Sequence, residues 1–272
     1  MNGKKIYVGE TVLHETTKSV HGEIVTIENE KYYKISNYDK MTPFLMNIVS
    51  DSDLWMFISS NGALTAGRKN PDNALFPYYT DDRIHDSHDI TGSKTILFVN
   101  KENELYLWEP FSNPTLNLYD TERTLYKSIA GNKLIFEETN FDLSLSFQYS
   151  WMTCEHFGFV KKSRIINNNS NSVPISVLDG IQNILPNGVD RKFQLEYSTL
   201  LDGYKKNELV EDVKLGLYTL SSIPTDKAEP SEALKTTTVW STGFDNAAVL
   251  LSSRQLYDYL TVPDINILFG SV

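Results

Sequence analysis

The run Leu143-Ser144-Leu145-Ser146-Phe147-Gln148-Tyr149 alternates apolar and polar residues without a break. A period of two places Leu143, Leu145, Phe147 and Tyr149 on one face of a β-strand and the polar residues on the other, so the segment predicts a half-buried sheet. Its neighbours supply the partners. Residues 125–129 and 133–137 flank Gly131-Asn132, a turn-forming pair, and Asn140-Phe141-Asp142 interrupts the chain again before the alternating strand. Beyond it, 157–166 and 173–178 are separated by an Asn/Ser run, 167–172, whose short polar side chains tolerate turn conformations. The centre of the chain therefore reads as an antiparallel meander.

Further strands are predicted at 32–35, 54–58, 95–99, 104–108, 217–221, 236–240 and 247–251. Short strands in succession, without regularly intervening helices, point to a sandwich rather than a parallel α/β sheet. One segment departs from the pattern. In 190–204 the residues Phe193, Tyr197, Leu200, Leu201 and Tyr204 follow helical spacing, and Asp190 stands where an N-cap belongs. This predicts one amphipathic helix packed on or beside the sheet. With 272 residues, 40% of them hydrophobic, the chain is long enough for one large all-β domain over 1–272. The polar stretch 225–231 is too short for a domain linker.

The formal net charge of −10 opposes nucleic acid and anionic membrane surfaces, whose phosphates would be repelled. A neutral partner fits better, and sugars are neutral. Aromatic residues make up 12% of the chain, a content compatible with stacking on sugar rings as well as with a large β-core. The lone cysteine, Cys154, leaves no internal disulfide and no multi-cysteine metal site. Behind Lys4-Lys5 there is no apolar run of the kind a signal peptide needs, and no stretch is apolar enough to span a bilayer, so the expected location is cytoplasmic.

The most informative polar stretch lies between Ser59 and Gly92, read as a long loop after a strongly apolar strand. It combines arginines, amides and carboxylates with Tyr78 and Tyr79, the mixture that hydrogen-bonds hydroxyls and stacks on a sugar face. The plainer alternative is a loop folded over one end of the sandwich, its Asn and Asp side chains capping backbone groups. His85 and His88, with Asp81, Asp82, Asp86 and Asp89 nearby, lack a spacing that fixes metal geometry, so no metal is predicted. Neither Asp81-Asp82 nor Glu137-Glu138 makes an acid/base pair, because adjacent side chains on an extended chain diverge. Cys154 near His156 reads as a core thiol rather than a nucleophile. Neither a nucleophile elbow nor a phosphate-binding glycine loop occurs, so no cofactor is predicted.

Three segments stand together: Ser59-Ser60-Asn61-Gly62, followed by Arg68-Lys69-Asn70-Pro71 and Leu75-Phe76-Pro77-Tyr78; Trp108-Glu109-Pro110-Phe111-Ser112-Asn113-Pro114; and Phe159-Val160-Lys161-Lys162-Ser163 through Ile166-Asn167-Asn168. Taken together they resemble the N-terminal domain of cellobiose- and chitobiose-phosphorylase-like glycoside phosphorylases and related glycoside hydrolase-like proteins. The resemblance implies an all-β, mainly antiparallel, galactose-mutarotase-like β-supersandwich with one or a few short helices. In relatives this domain is followed by an (α/α)6 barrel that carries the general acid, so none of the residues here is expected to be catalytic. The implied partners are an oligosaccharide, that barrel in a longer chain, and a second copy in a homodimer. Relatives' N-terminal loops reach over the active site, which makes Arg68, Asn70, Asp72 and Arg83 the expected substrate-binding residues. Two alternatives stand beside this reading: a free-standing sugar mutarotase or epimerase built on His85, His88 or His156 with a carboxylate, and a carbohydrate-binding module.

Overall fold

The structure is a computed structural model and describes residues 5–14, 18–78, 81–222, 235–245 and 247–261. The chain is mostly antiparallel β with a few short helices, the class its alternating segments predict. Its contacts divide into two compact units, Met1–Leu64 with Thr80–Ile181, and Thr65–Tyr79 with Gln182–Val272.

The first unit is built on a six-stranded sheet in the order Gly158–Asn167, Leu145–Cys154, Lys133–Asn140, Thr121–Ser128, Glu30–Ser36, His21–Ile27. Gly131 takes φ 78° in the predicted turn, and Ser128 Oγ closes it by donating to Asn132 Oδ1 at 2.9 Å. The register pairs Leu125 with Phe136 and Phe136 with Tyr149, and two residues further on Leu134 with Trp151. These five side chains share one face and are buried. Burial of each large apolar side chain stabilises the fold by about 1.5–3 kcal/mol, so this face is the core of the unit. On the opposite face Ser146 and Ser150 are buried too, which alternation alone does not predict. They stand in the ladder opposite Thr139, Ile166, Ile135 and Lys162, and Ser146 Oγ bonds Thr139 Oγ1 and Asn168 Nδ2, each at 2.9 Å.

A second sheet of this unit places Gly92–Lys101 between Glu104–Trp108 and Ile175–Gln182, and Leu45–Ile48 pairs with Leu54–Ser59. Two hairpins turn through Glu28-Asn29 and Glu102-Asn103, all four residues having positive φ between 48° and 68°. Two successive left-handed residues between paired strands make a type I′ turn, whose twist matches that of the strands it joins.

The second unit contains a three-stranded sheet, Lys205–Val210, Leu215–Leu220 and Thr237–Trp240. The predicted helix forms as Arg191–Tyr197 and tightens into a 3₁₀ segment, Ser198–Gly203. Asp190 caps it, its Oδ1 accepting from Phe193 N at 2.6 Å. Phe193 and Tyr197 pack ring against ring at 4.8 Å, and Leu201 is buried. The strand expected at 247–251 does not form. A side-chain carbon built on Gly216 would sit 3.1 Å from Leu251 Cδ2, so these apolar residues approach the neighbouring sheet with their side chains and enter no ladder. Tyr79 and the 225–231 segment lie outside the described residues.

Candidate functional site

The segment read as one long loop contains a strand and three short helical turns. Leu64–Arg68 is a strand, with Leu64, Thr65 and Ala66 fully buried, and Pro71–Asn73, Asp81–Ile84 and His85–Ser87 are single helical turns. Arg68 ends the strand and is exposed. Asn70 caps the turn after it, its Oδ1 accepting from Asp72 N at 3.1 Å and from Asn73 Nδ2 at 2.8 Å. Asp72 in turn accepts from Arg191 N at 3.3 Å, at the start of the helix. Asn70 and Asp72 thus do the backbone capping that the plainer reading gives them. Arg83 is exposed on the turn Asp81–Ile84, in the other unit.

The histidines are engaged locally. His85 Nδ1 is 2.6 Å from Ser59 Oγ, but Ser59 is fully buried, so the pair fixes the turn instead of presenting a nucleophile. His88 Nε2 lies 2.9 Å from Asp89 Oδ2 and 2.8 Å from Asn113 Nδ2. Cys154 ends its strand, and His156 lies exposed in the turn that follows. Among the described residues no group of three or more His, Cys, Asp or Glu is placed to hold a metal. The side chains of Asp81 and Asp82 lie outside the described ones.

A polar cleft does form within the first unit, lined by Asn61, Gly62, Asp89, Lys94, Ser112 and Tyr149 among others. Its floor is aromatic. Tyr149 stacks on Phe136 at 4.8 Å and meets Phe111 edge to face at 5.1 Å, so its ring position is fixed from two sides. Burial pushes its hydroxyl well above the usual tyrosine value, which keeps it a neutral donor. Gly62, at φ 91°, leaves room for that hydroxyl: a side-chain carbon there would stand 3.0 Å from Tyr149 Oη. Ser112 is only 3% exposed, and its Oγ has no hydrogen-bond partner among the described residues.

The wall made by 109–113 is held from behind by a buried ion pair. Glu138 accepts from Arg123 Nε at 2.7 Å, from Trp108 Nε1 at 2.9 Å and from Phe111 N at 2.7 Å. Arg123 also donates to Ser112 O at 3.0 Å. Burial pulls the guanidinium pKa down, but Glu138, Tyr38 and Asp39 together outweigh it and the net shift is upward. These contacts hold Phe111 at φ 65°, a left-handed conformation that is strained for a bulky residue. Beneath the cleft, Lys161 Nζ bonds Asp179 Oδ1 at 2.6 Å and Gly180 O at 3.1 Å, 5.8 Å from the Tyr149 ring centre. Thr95, on the cleft wall, donates to the same Asp179 oxygen at 2.6 Å.

Of the expected substrate-binding residues, none lines this cleft. The residues that do, Ser112 and Tyr149 foremost, carry no local motif; only the resemblance segments around Asn61-Gly62 and Pro110-Phe111-Ser112 pointed toward the region. No family model matches the chain, and no match to it was found among curated proteins.

Proposed function

We propose that this chain is a non-catalytic β-domain of a carbohydrate-active enzyme of the glycoside phosphorylase or hydrolase kind, shaping the saccharide site and supporting oligomerisation. The observation that carries the reading is the cleft. Two segments that resemble the phosphorylase-type domain, Asn61-Gly62 and Pro110-Phe111-Ser112, lie far apart in sequence and line it together, over a floor of aromatic rings and hydroxyls. The cleft is small and polar over an aromatic floor, so what it suits is a single uncharged polar group of a larger ligand. The acidic chain and its antiparallel β architecture fit the same reading. Arg68 and Arg83, both exposed, remain the positions through which saccharide contact outside the cleft is proposed.

The experiment is substitution of the two arginines in the enzyme that carries this chain. Arg68→Ala or Arg83→Ala is expected to weaken saccharide use with little loss of stability, since neither side chain is buried. Unchanged kinetics in both variants contradict their assignment. One observation favours a second reading, a mutarotase-type enzyme: the His88–Asp89 pair stands at the cleft wall, where acid and base would be needed. Catalysed equilibration of a fresh aldose, followed by optical rotation, would promote that reading over the first.

A further inference from the structure

His21–Ile27 is an outer strand of the six-stranded sheet: it pairs with Glu30–Ser36 on one side, and among the described residues no strand pairs with the other. Which of its backbone groups stand free follows from the hairpin. A two-residue turn at Glu28-Asn29 makes Ile27 and Glu30 a hydrogen-bonded pair, and such pairs alternate along an antiparallel ladder. His21, Glu23, Val25 and Ile27 therefore bond inward to Glu30–Ser36, whereas Gly22, Ile24 and Thr26 turn their N–H and C=O outward. The next ladder agrees with this parity: Lys31, opposite Thr26, sends its carbonyl away from it, to Ile129 N at 3.0 Å.

Outer strands are ordinarily kept apart by lysine, proline, a bulge or a cover. The opposite edge of the sheet, Gly158–Asn167, follows that rule with Lys162 and Arg164, both exposed. His21–Ile27 does not. Its register runs without a bulge, it contains no proline, lysine or arginine, and its one carboxylate, Glu23, is held by Lys34 Nζ at 2.9 Å. Ile24 and its ladder partner Tyr33 share one face and are 61% and 52% exposed.

Such an edge is complementary to a copy of itself. In an antiparallel pair about a two-fold axis, outward residues must meet outward residues, which leaves few registers. With Ile24 opposite Ile24 of the second copy, all seven residues pair. Gly22 then meets Thr26, Glu23 meets Val25 and His21 meets Ile27. Each outward residue exchanges both backbone bonds, no like charges stand opposite, and Tyr33 and Ile24 of the two copies form one apolar row across the joint. Centring the axis on Glu23 sets two carboxylates against each other, and centring it on Val25 leaves His21 and Gly22 without partners.

We infer that His21–Ile27 is a homodimerisation edge, at which two copies of this chain join antiparallel about a two-fold axis through Ile24 to make one continuous sheet. The inference does not depend on the saccharide reading; it gives the oligomerisation in that reading a surface and a register. The pairing consumes this edge, and the basic residues of the other edge oppose further addition, so assembly closes at the dimer. An edge pair buries less than a permanent interface, so the dissociation constant is expected to be roughly micromolar.

The test is sedimentation equilibrium of the full chain from about 1 to 200 µM, a range that brackets that affinity. The wild type should rise from its monomer mass of 31.0 kDa toward twice that value. Ile24→Lys sets two ammonium groups side by side at the axis and should weaken association by about 10-fold or more, with an unchanged melting temperature because the side chain is exposed. Disulfide trapping in a Cys154→Ser background reads the register. Glu23→Cys mixed with Val25→Cys should cross-link faster than either variant alone, because only residues 23 and 25 stand directly opposite, about 4.5 Å apart between α-carbons. A chain that stays monomeric throughout overturns the inference and leaves the saccharide reading standing; slow amide exchange at Gly22, Ile24 and Thr26 in that monomer identifies another part of the chain as the cover. A dimer that Ile24→Lys leaves intact uses another surface and overturns it equally. Faster self-cross-linking of either cysteine variant refutes the axis through Ile24.

Discussion

Replacing Glu138 by Gln changes one oxygen to an amide nitrogen at a buried carboxylate of the first unit that accepts three hydrogen bonds. Glu138 accepts three hydrogen bonds at 2.7–2.9 Å, one of them charge-assisted from Arg123, and both side chains of the pair are nearly inaccessible. Glutamine keeps a single acceptor oxygen. Its amide nitrogen must face one of three donors, and the Arg123 guanidinium is left buried without a counter-charge. Removing one partner of a buried pair costs about 3–5 kcal/mol, against a total domain stability of about 5–15 kcal/mol. For a unit of this size the loss corresponds to a fall in melting temperature of roughly 6–20 °C.

Urea unfolding followed by tryptophan fluorescence measures it, because three of the four tryptophans, Trp55, Trp108 and Trp151, belong to the unit that holds Glu138. The double variant Arg123→Met/Glu138→Leu should be more stable than Glu138→Gln, since it removes the orphaned charge and leaves only neutral groups short of a partner, the Trp108 and Phe111 donors and the Ser112 and Asn113 oxygens that Arg123 served. A Glu138→Gln protein within about 0.5 kcal/mol of the wild type, the range of ordinary surface substitutions, refutes the claim that this ion pair holds the cleft wall.

Two further outcomes are expected. Burial raises the hydroxyl pKa of Tyr38 and of Tyr149, so above about pH 10 the unfolded chain loses these protons while the folded chain keeps them. The stabilisation is complete below that pH and is lost as pH rises, at about 2.7 kcal/mol per pH unit for the two groups together. Burial lowers the Lys161 pKa, an effect of opposite sign that ends at about pH 10.4, the unfolded lysine value. Urea unfolding between about pH 9 and 12 tests this, and a flat profile contradicts it. In the second unit, Asp190→Ala removes the N-cap from Phe193 N and should cost about 0.5–2 kcal/mol, measured as a loss of helical circular dichroism on mild heating.

The central meander was legible because its apolar face repeats every second residue and its turns carry glycine and asparagine. The strand Glu104–Trp108 matches its predicted bounds, and the cap at Asp190 forms as expected. The strand His21–Ile27 was not legible, since its hairpin turns through Glu28-Asn29 and glutamate is a poor signal for a left-handed residue. Leu64–Arg68 read as loop because Ala63, Ala66 and Gly67 bury themselves by being small, without a hydrophobic run to announce a strand. Residues 247–251 carry the composition of a strand but not its pairing, with Leu251 approaching the face of Gly216.

The cleft was hidden for a different reason. Its floor and wall are made by Tyr149 from the alternating strand and Ser112 from the 109–113 turn, and only the packing of Phe111 under the Glu138 ion pair brings them to one place. The signals that stood out in sequence, Asn70 and Asp72, are spent on capping the turn at 71–73 and the helix that starts at Arg191.

The account is tested most directly by mapping where a neutral oligosaccharide lands on the labelled chain, by amide chemical-shift changes during titration. The predicted result is saturable shifts centred on Asn61, Gly62, Phe111 and Ser112. Saturable binding centred elsewhere, or no shifts with any oligosaccharide at millimolar concentration, contradicts it.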